Sequence, residues 1–207
     1  MADHGLRERK KRATRQLIAD IASGLFIQRG FEEVTVAEIA EAAGVSKMTV
    51  FNYFPRKEDL FLDRHADRLA DLVSAVRARP AGMSAAAALR RHQHELLAAG
   101  HPLSGAIQGA SGFWWVLRSS PALMTRFHEQ EREIAEALAE VLSEETGEPL
   151  RARTVAALLT TAISTIFANA VSRLVAGDEE AEVRRDQVTV IDQAFDLVEH
   201  GVGDYPG

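Results

Sequence analysis

The stretch AAGVSKMTVFNYF, Ala42–Phe54, decides the fold. Gly44 marks a bend, because the left-handed backbone conformation that ends a helix is easiest for glycine. Ser46 follows as a helix N-cap, a position where a side-chain oxygen accepts an otherwise orphaned backbone N–H. The helix it starts runs to about Tyr53, and Pro55 closes it. Just upstream, Thr35–Glu38 reads TVAE, a capping box in which Glu38 reaches back to the Thr35 amide. Ile39 and Ala40 supply the buried face of that first short helix. Two short helices around a turn centred on Gly44 make a helix-turn-helix. Ala40 and Ala43 are small enough for the helices to approach closely, and Val45 and Val50 point inward. Lys47, Met48, Thr49, Asn52 and Tyr53 are left on the outer face.

Working outward, the chain reads as helices separated by Gly or Pro, with no strand pattern and no internal repeat. Leu17, Ile18, Ile21, Ala22, Leu25 and Phe26 recur at helical spacing, and Gly30 stops that helix. A long helix is predicted over 58–78, then helices over about 84–99, 104–118, 122–145, 151–176 and 179–199. The fold class is all-α. An N-terminal arm and three-helix helix-turn-helix domain, 1–56, is joined by the long helix to a C-terminal helical domain, 57–207.

Composition limits the function classes. Cysteine is absent, which excludes disulfides and thiolate zinc sites. MADHGLRERKKR carries charge with no apolar run behind it, so no secretion signal is expected and a cytoplasmic protein is. The uncharged run 154–172 has the length to span a bilayer. It contains Thr154, Thr160, Thr161, Ser164, Thr165, Asn169 and Ser172, however, and reads better as a helix buried on most faces. The net charge of −6 is unevenly spread. Residues 1–65 carry eleven Lys/Arg and ten Asp/Glu, whereas 66–207 carry thirteen and twenty. Within 7–15 six basic residues face one acid, Glu8, a pattern suited to a DNA-facing arm.

The outer-face side chains match what a major groove offers. Lys47 suits guanine O6/N7 and Met48 a thymine methyl. Thr49, Asn52 and Tyr53 suit phosphates. The segment FIQRGFEEVTVAEIAEAAGVSKMTVFNYFPRKEDLF, Phe26–Phe61, resembles the N-terminal DNA-binding region of the TetR (tetracycline-repressor) family. The resemblance covers about 15–61. It implies a recognition helix over Ser46–Tyr53, phosphate contacts from Thr35, Thr49, Tyr53 and Lys57, and a repressor as the sign of regulation. The chain departs from the family pattern at Met48, where Gly is commonest, and at Phe51, where Tyr is usual. It also departs at Arg56, where Ser or Asn normally caps the next helix.

The resemblance further implies a homodimer through the last two long helices, on a palindromic operator in double-stranded DNA. The apolar stripe Val155, Leu158/Leu159, Ala162/Ile163, Ile166/Phe167, Ala170/Val171, Leu174 is too wide for one contact and supports this separately. Val188, Ile191, Phe195 and Val198 form a second stripe. The middle helices are expected to enclose an unknown small-molecule effector, apolar or aromatic with one polar group. Its candidate contacts are His92, Leu96, Ile107, Trp114, Met124, Phe127 and Phe167. No cofactor, metal or membrane is expected, and no catalytic motif is present: His92 and His94 are two apart and do not share a helix face. The expected function is a sequence-specific transcriptional regulator, a repressor released by its ligand. The alternative is a DNA-bridging architectural protein without a ligand.

Overall fold

The computed structural model describes residues 2–107 and 109–201, with side chains from residue 9 onward. The Arg7 end of the basic run, and with it part of the expected arm, lies outside the described side chains. Ten α-helices are present among the described residues: α1 (Ala2–Arg29), α2 (Val36–Ala42), α3 (Lys47–Tyr53), α4 (Lys57–Phe61), α5 (His65–Arg77), α6 (Ala85–Ala98), α7 (Ala110–Ser119), α8 (Pro121–Thr146), α9 (Pro149–Ala176) and α10 (Glu180–His200). A 3₁₀ turn, Pro102–Ser104, lies between α6 and α7. The all-α class expected from periodicity is what is found.

The chain divides into two compact units. The first comprises Met1–Arg64 together with Trp115–His128; the second comprises His65–Trp114 and Glu129–Gly207. In the first, Ile18, Phe26, Val34, Ile39, Val50, Phe54 and Leu60 are fully or almost fully buried, as are Leu117 and Leu123. The Phe26 ring meets Phe31 at 5.0 Å and Phe61 edge-on at 5.9 Å. Truncating a ring buried like this to alanine costs about 3–5 kcal/mol. The buried stripe of α1 is narrower than its spacing suggests, since Leu17 is exposed and Ala19 takes its place inside.

The second unit is built around Leu72, Val76, Leu89, Ile134, Leu138, Leu159, Ile163, Ile166, Ile191 and Phe195. Arg68 on α5 pairs with Glu131 on α8, and Ser164 on α9 donates to the same carboxylate, so one acid ties three helices. Arg173 clamps the α9–α10 corner through Asp178 at 2.6 Å and Asp186 at 2.9 Å. Among the described residues α9 is the one helix long and apolar enough to cross a membrane, and 44% of its most apolar window is buried inside the protein.

Two sequence expectations are corrected. The long helix predicted over 58–78 is broken into α4 and α5. Leu62 leaves helical geometry (φ −96°, ψ 37°), and the Asp63 carbonyl accepts a hydrogen bond from Arg15 Nη2 at 2.8 Å. No Gly or Pro announces this break. The helix predicted over 104–118 begins only at Ala110. Gly105 and Gly109 hold positive φ (74° and 92°) and end helical geometry before it.

Candidate nucleic-acid interface

The helix-turn-helix is set by bonds between residues close in sequence. Thr35 Oγ1 accepts the Glu38 amide at 3.3 Å while the Glu38 carboxylate accepts the Thr35 amide at 2.8 Å, completing the capping box. Those bonds, with Arg29 at 2.8 Å, hold the Glu38 carboxyl down to about 2. At the other end of α2, Gly44 N–H donates to Glu41 O at 3.0 Å and Val45 N–H to Ala40 O at 2.9 Å. This is a Schellman closure, and it needs a left-handed residue at position 44, where φ is +65°. Ser46 Oγ then accepts the Thr49 amide at 3.1 Å and caps α3. α4 has no side-chain cap: Arg56 occupies its N-cap and makes no capping bond.

With α3 started at Lys47 and Val50 and Phe54 buried, the outer face follows from helical spacing. Lys47, Met48, Phe51 and Asn52 are exposed; Thr49 and Tyr53 are half-buried at its edges. Met48 is 69% exposed and Phe51 46%. The spacing placed Met48 outside; Phe51 was identified as a departure but not as part of the outer face. The Thr49 hydroxyl lies 2.9 Å from Ser46 Oγ. Thr35 is exposed, with its hydroxyl donating to Glu38 at 2.8 Å.

Lys57 is oriented differently from the other candidates. Its Nζ donates to the Phe31 carbonyl at 2.5 Å and lies over the Phe31 ring at 4.2 Å and the Phe26 ring at 5.7 Å. Burial lowers its pKa, against the pull of Glu32 and Glu58. A lysine in this setting works as a strut between the start of α4 and the end of the α1–α2 turn.

Further anchors of this unit went unread in the sequence. Arg15 covers the Phe54 ring at 4.7 Å, fixing the residue that ends α3. Arg126 pairs with Asp59 at 2.8 Å, both largely buried, and Ser120 Oγ donates to Glu32 at 2.7 Å. Residues 115–128 are thereby fastened to the helix-turn-helix, although they lie some 60 residues downstream.

The seven effector candidates are divided between the units. His92, Leu96, Ile107, Trp114 and Phe167 belong to the second; Met124 and Phe127 belong to the first. Trp114 and Phe167 meet edge-on with centroids 6.2 Å apart. His92 and Leu96 flank the buried face of α6, which centres on Leu89, Gln93 and Leu97. Burial lowers the His92 pKa, so its imidazole is neutral at pH 7. Trp115, adjacent to Trp114, is 59% exposed. A groove of about 860 Å³ bordered by Ala139, Glu140, Glu144, Pro149 and Arg153 shares no residue with these candidates. Among the described residues no cluster of His, Asp or Glu is placed to hold a metal ion.

Comparison with known proteins places the same segment. Residues 18–63 match the model of the bacterial regulatory proteins, tetR family. The regulator TcmR of Streptomyces glaucescens is 29% identical over 148 residues, covering 69% of this chain and 65% of that one. AcrR of Shigella flexneri is 46% identical over 48 residues, 23% of this chain and 22% of the other. This chain therefore spans less than two thirds of the length of either relative. NalD of Pseudomonas aeruginosa, described as the secondary repressor of a multidrug efflux pump, shares the fold with a TM-score of 0.54 at 18% identity, over 91% of this chain and 96% of its own. The matched segment runs from the buried stripe of α1 through the capping box, the Gly44 closure and α3 to Asp63, and over it the chain carries an N-terminal domain that matches the tetR family of bacterial regulatory proteins.

Proposed function

We propose that this protein is a sequence-specific, DNA-binding transcriptional regulator, acting in the cytoplasm as a homodimeric repressor that a small apolar or aromatic ligand releases from its operator. The observation that carries the reading is α3. Its start is fixed by Ser46 and the Gly44 closure, its inner face is buried, and its outer face presents a cation, an amide and two apolar side chains. Such a helix enters a major groove at little ordering cost.

In this reading Lys47 contacts guanine and Met48 a thymine methyl, while Thr49, Asn52 and Tyr53 hold phosphates. Ser46 sets the helix start, and its single hydroxyl proton is best spent on Thr49 Oγ1, which leaves the Thr49 proton for a phosphate oxygen. Thr35 contributes through the capping box. Lys57 contributes by holding α4 to the α1–α2 turn rather than by meeting the backbone.

The dimer would form on α9 and α10. The exposed residues of α9 from Thr154 onward (Ala157, Leu158, Thr161, Thr165, Asn169, Ser172) carry no charge over five turns, an unusual face to leave in water. Two recognition helices would then meet half-sites about 34 Å apart, one turn of DNA. For the effector, the Trp114–Phe167 pair suits a flat ring, and the neutral His92 imidazole suits one polar group on it.

Selection of bound DNA from a random pool, with affinity repeated across a salt series, tests this function. The expected result is an enriched palindrome with half-sites one turn apart or a multiple of it. Steep salt dependence with no enriched sequence would replace it with the DNA-bridging reading.

A further inference from the structure

We propose that Phe51, with Met48, reads thymine through its 5-methyl group, so that each operator half-site carries thymines beneath this pair. The inference rests on the DNA-reading role of α3 and adds a specificity-determining residue that the family pattern does not supply. Three observations carry it.

First, α3 is only seven residues long and its core-facing side is already satisfied. Val50 and Phe54 fill the interior, and Arg15 covers the Phe54 ring. Phe51 is not needed there, and nearly half of its surface is in solvent.

Second, Phe51 and Met48 are three residues apart, so they stand side by side with Cβ atoms about 5–6 Å apart. They form one apolar patch on a face whose other exposed members, Lys47 and Asn52, are polar. Neither side chain has a hydrogen-bond donor for a phosphate or a base edge, and the Met48 thioether is only a weak acceptor.

Third, the major groove offers an apolar side chain a single partner, the thymine methyl. Guanine, cytosine and adenine present only donors and acceptors there, and covering those with an apolar patch would strip them of water without replacement. Base pairs are spaced about 3.4 Å along the axis. A patch about 5–6 Å across therefore spans two neighbouring steps. Lys47, one residue before Met48, would place a guanine beside those thymines. Replacing a tyrosine by Phe51 removes a phosphate-reaching hydroxyl and leaves a ring suited to a methyl.

The test uses the full chain and the operator obtained by selection. Each thymine of a half-site is replaced in turn by deoxyuridine, which removes the methyl and keeps every hydrogen-bonding group. Affinity should fall about fourfold at one or two positions, the factor expected for uncovering one methyl-sized group. In Phe51→Ala, deoxyuridine at one of those positions should bind as well as thymine, and in Met48→Ala the other should behave likewise. Both variants should keep the guanine preference and a cooperative fold; Met48→Ala should keep the melting temperature, and Phe51→Ala should lower it somewhat because just over half of that side chain is covered. A half-site whose guanine still matters but whose thymines tolerate deoxyuridine overturns this inference alone. So does a Phe51→Ala variant that loses affinity yet keeps the full methyl dependence, since that means the ring acts elsewhere. Failure to select any sequence overturns the reading of α3 as a base-reading helix and this inference with it.

Discussion

Lys57→Met separates a strut from a phosphate ligand. Methionine keeps the length and the apolar stem but deletes the charge and its donors. In the native unit the ammonium makes one short charged hydrogen bond to the Phe31 carbonyl and covers two rings, at 4.2 and 5.7 Å. A hydrogen bond to a charged group contributes about 1.5–3 kcal/mol, and a cation over an aromatic face about 0.5–2 kcal/mol. Against these stands the loss of water around the ammonium, the cause of its lowered pKa, which methionine does not suffer. The difference leaves a net destabilisation of about 1–2 kcal/mol. For a chain of this size that lowers the melting temperature by about 2–8 °C. The DNA measurement gives the contrast. A lysine neutralising one phosphate contributes about 0.9 to the slope of log affinity against log salt, in each half-site. The expected result is therefore a lower melting temperature with an unchanged salt slope. Unchanged stability with a shallower slope would refute the strut and return Lys57 to the DNA backbone.

Other perturbations have equally definite outcomes. Glu38 titrates at about 2 in the folded protein, below the ordinary 4.5, so its contribution is complete above pH 4.5 and is lost as the pH falls toward 2. Glu38→Gln should be less stable than the parent at neutral pH, with the gap closing over that acid window in denaturation curves. His92 has the opposite chemistry: burial depresses its pKa, so the unfolded chain takes up a proton first as the pH drops below 6.5. Stability should fall through that window in the parent, and His92→Gln should flatten the fall while changing little above it. Gly105→Ala should destabilise by about 2 kcal/mol or more, because φ is +74° and the new Cβ would lie 2.9 Å from the Phe167 carbonyl oxygen. Thr161→Arg places a charge in the middle of the exposed α9 face and should shift sedimentation toward monomer; an unaffected dimer would move the interface elsewhere.

What could be read in the sequence tracks how far apart the interacting groups lie. The capping box, the Gly44 closure and the Ser46 cap each join groups at most five residues apart, and each needs a particular residue type. A single sequence displays them directly. The supports of the same unit do not announce themselves: Arg15 to Asp63 spans 48 residues, Arg126 to Asp59 spans 67 and Ser120 to Glu32 spans 88. Arginines and acids are plentiful on any helical surface, so nothing marks these pairs before the chain is folded. The break between α4 and α5 was missed for this reason, since the group that stabilises it is on α1. The placement of residues 115–128 with the first unit was missed likewise.

The candidate effector contacts on α6 illustrate the same limit on a helix face. Helical spacing from Leu89 puts His92 and Leu96 on one side of α6, and the buried side, which holds Gln93 and Leu97, is offset from it by about a third of a turn or less. The cause is α10. Arg90 pairs with Asp196 and Glu199, His94 with Asp192, and Arg184 donates to the Leu97 carbonyl. These bonds draw the polar flank of α6 against a helix almost one hundred residues away, and rotate the buried face with it. His92 consequently sits at the edge of the packed interior. That is where a partly shielded, neutral imidazole can still meet an incoming group, whereas a histidine centred on the core face would have been sealed by its neighbours.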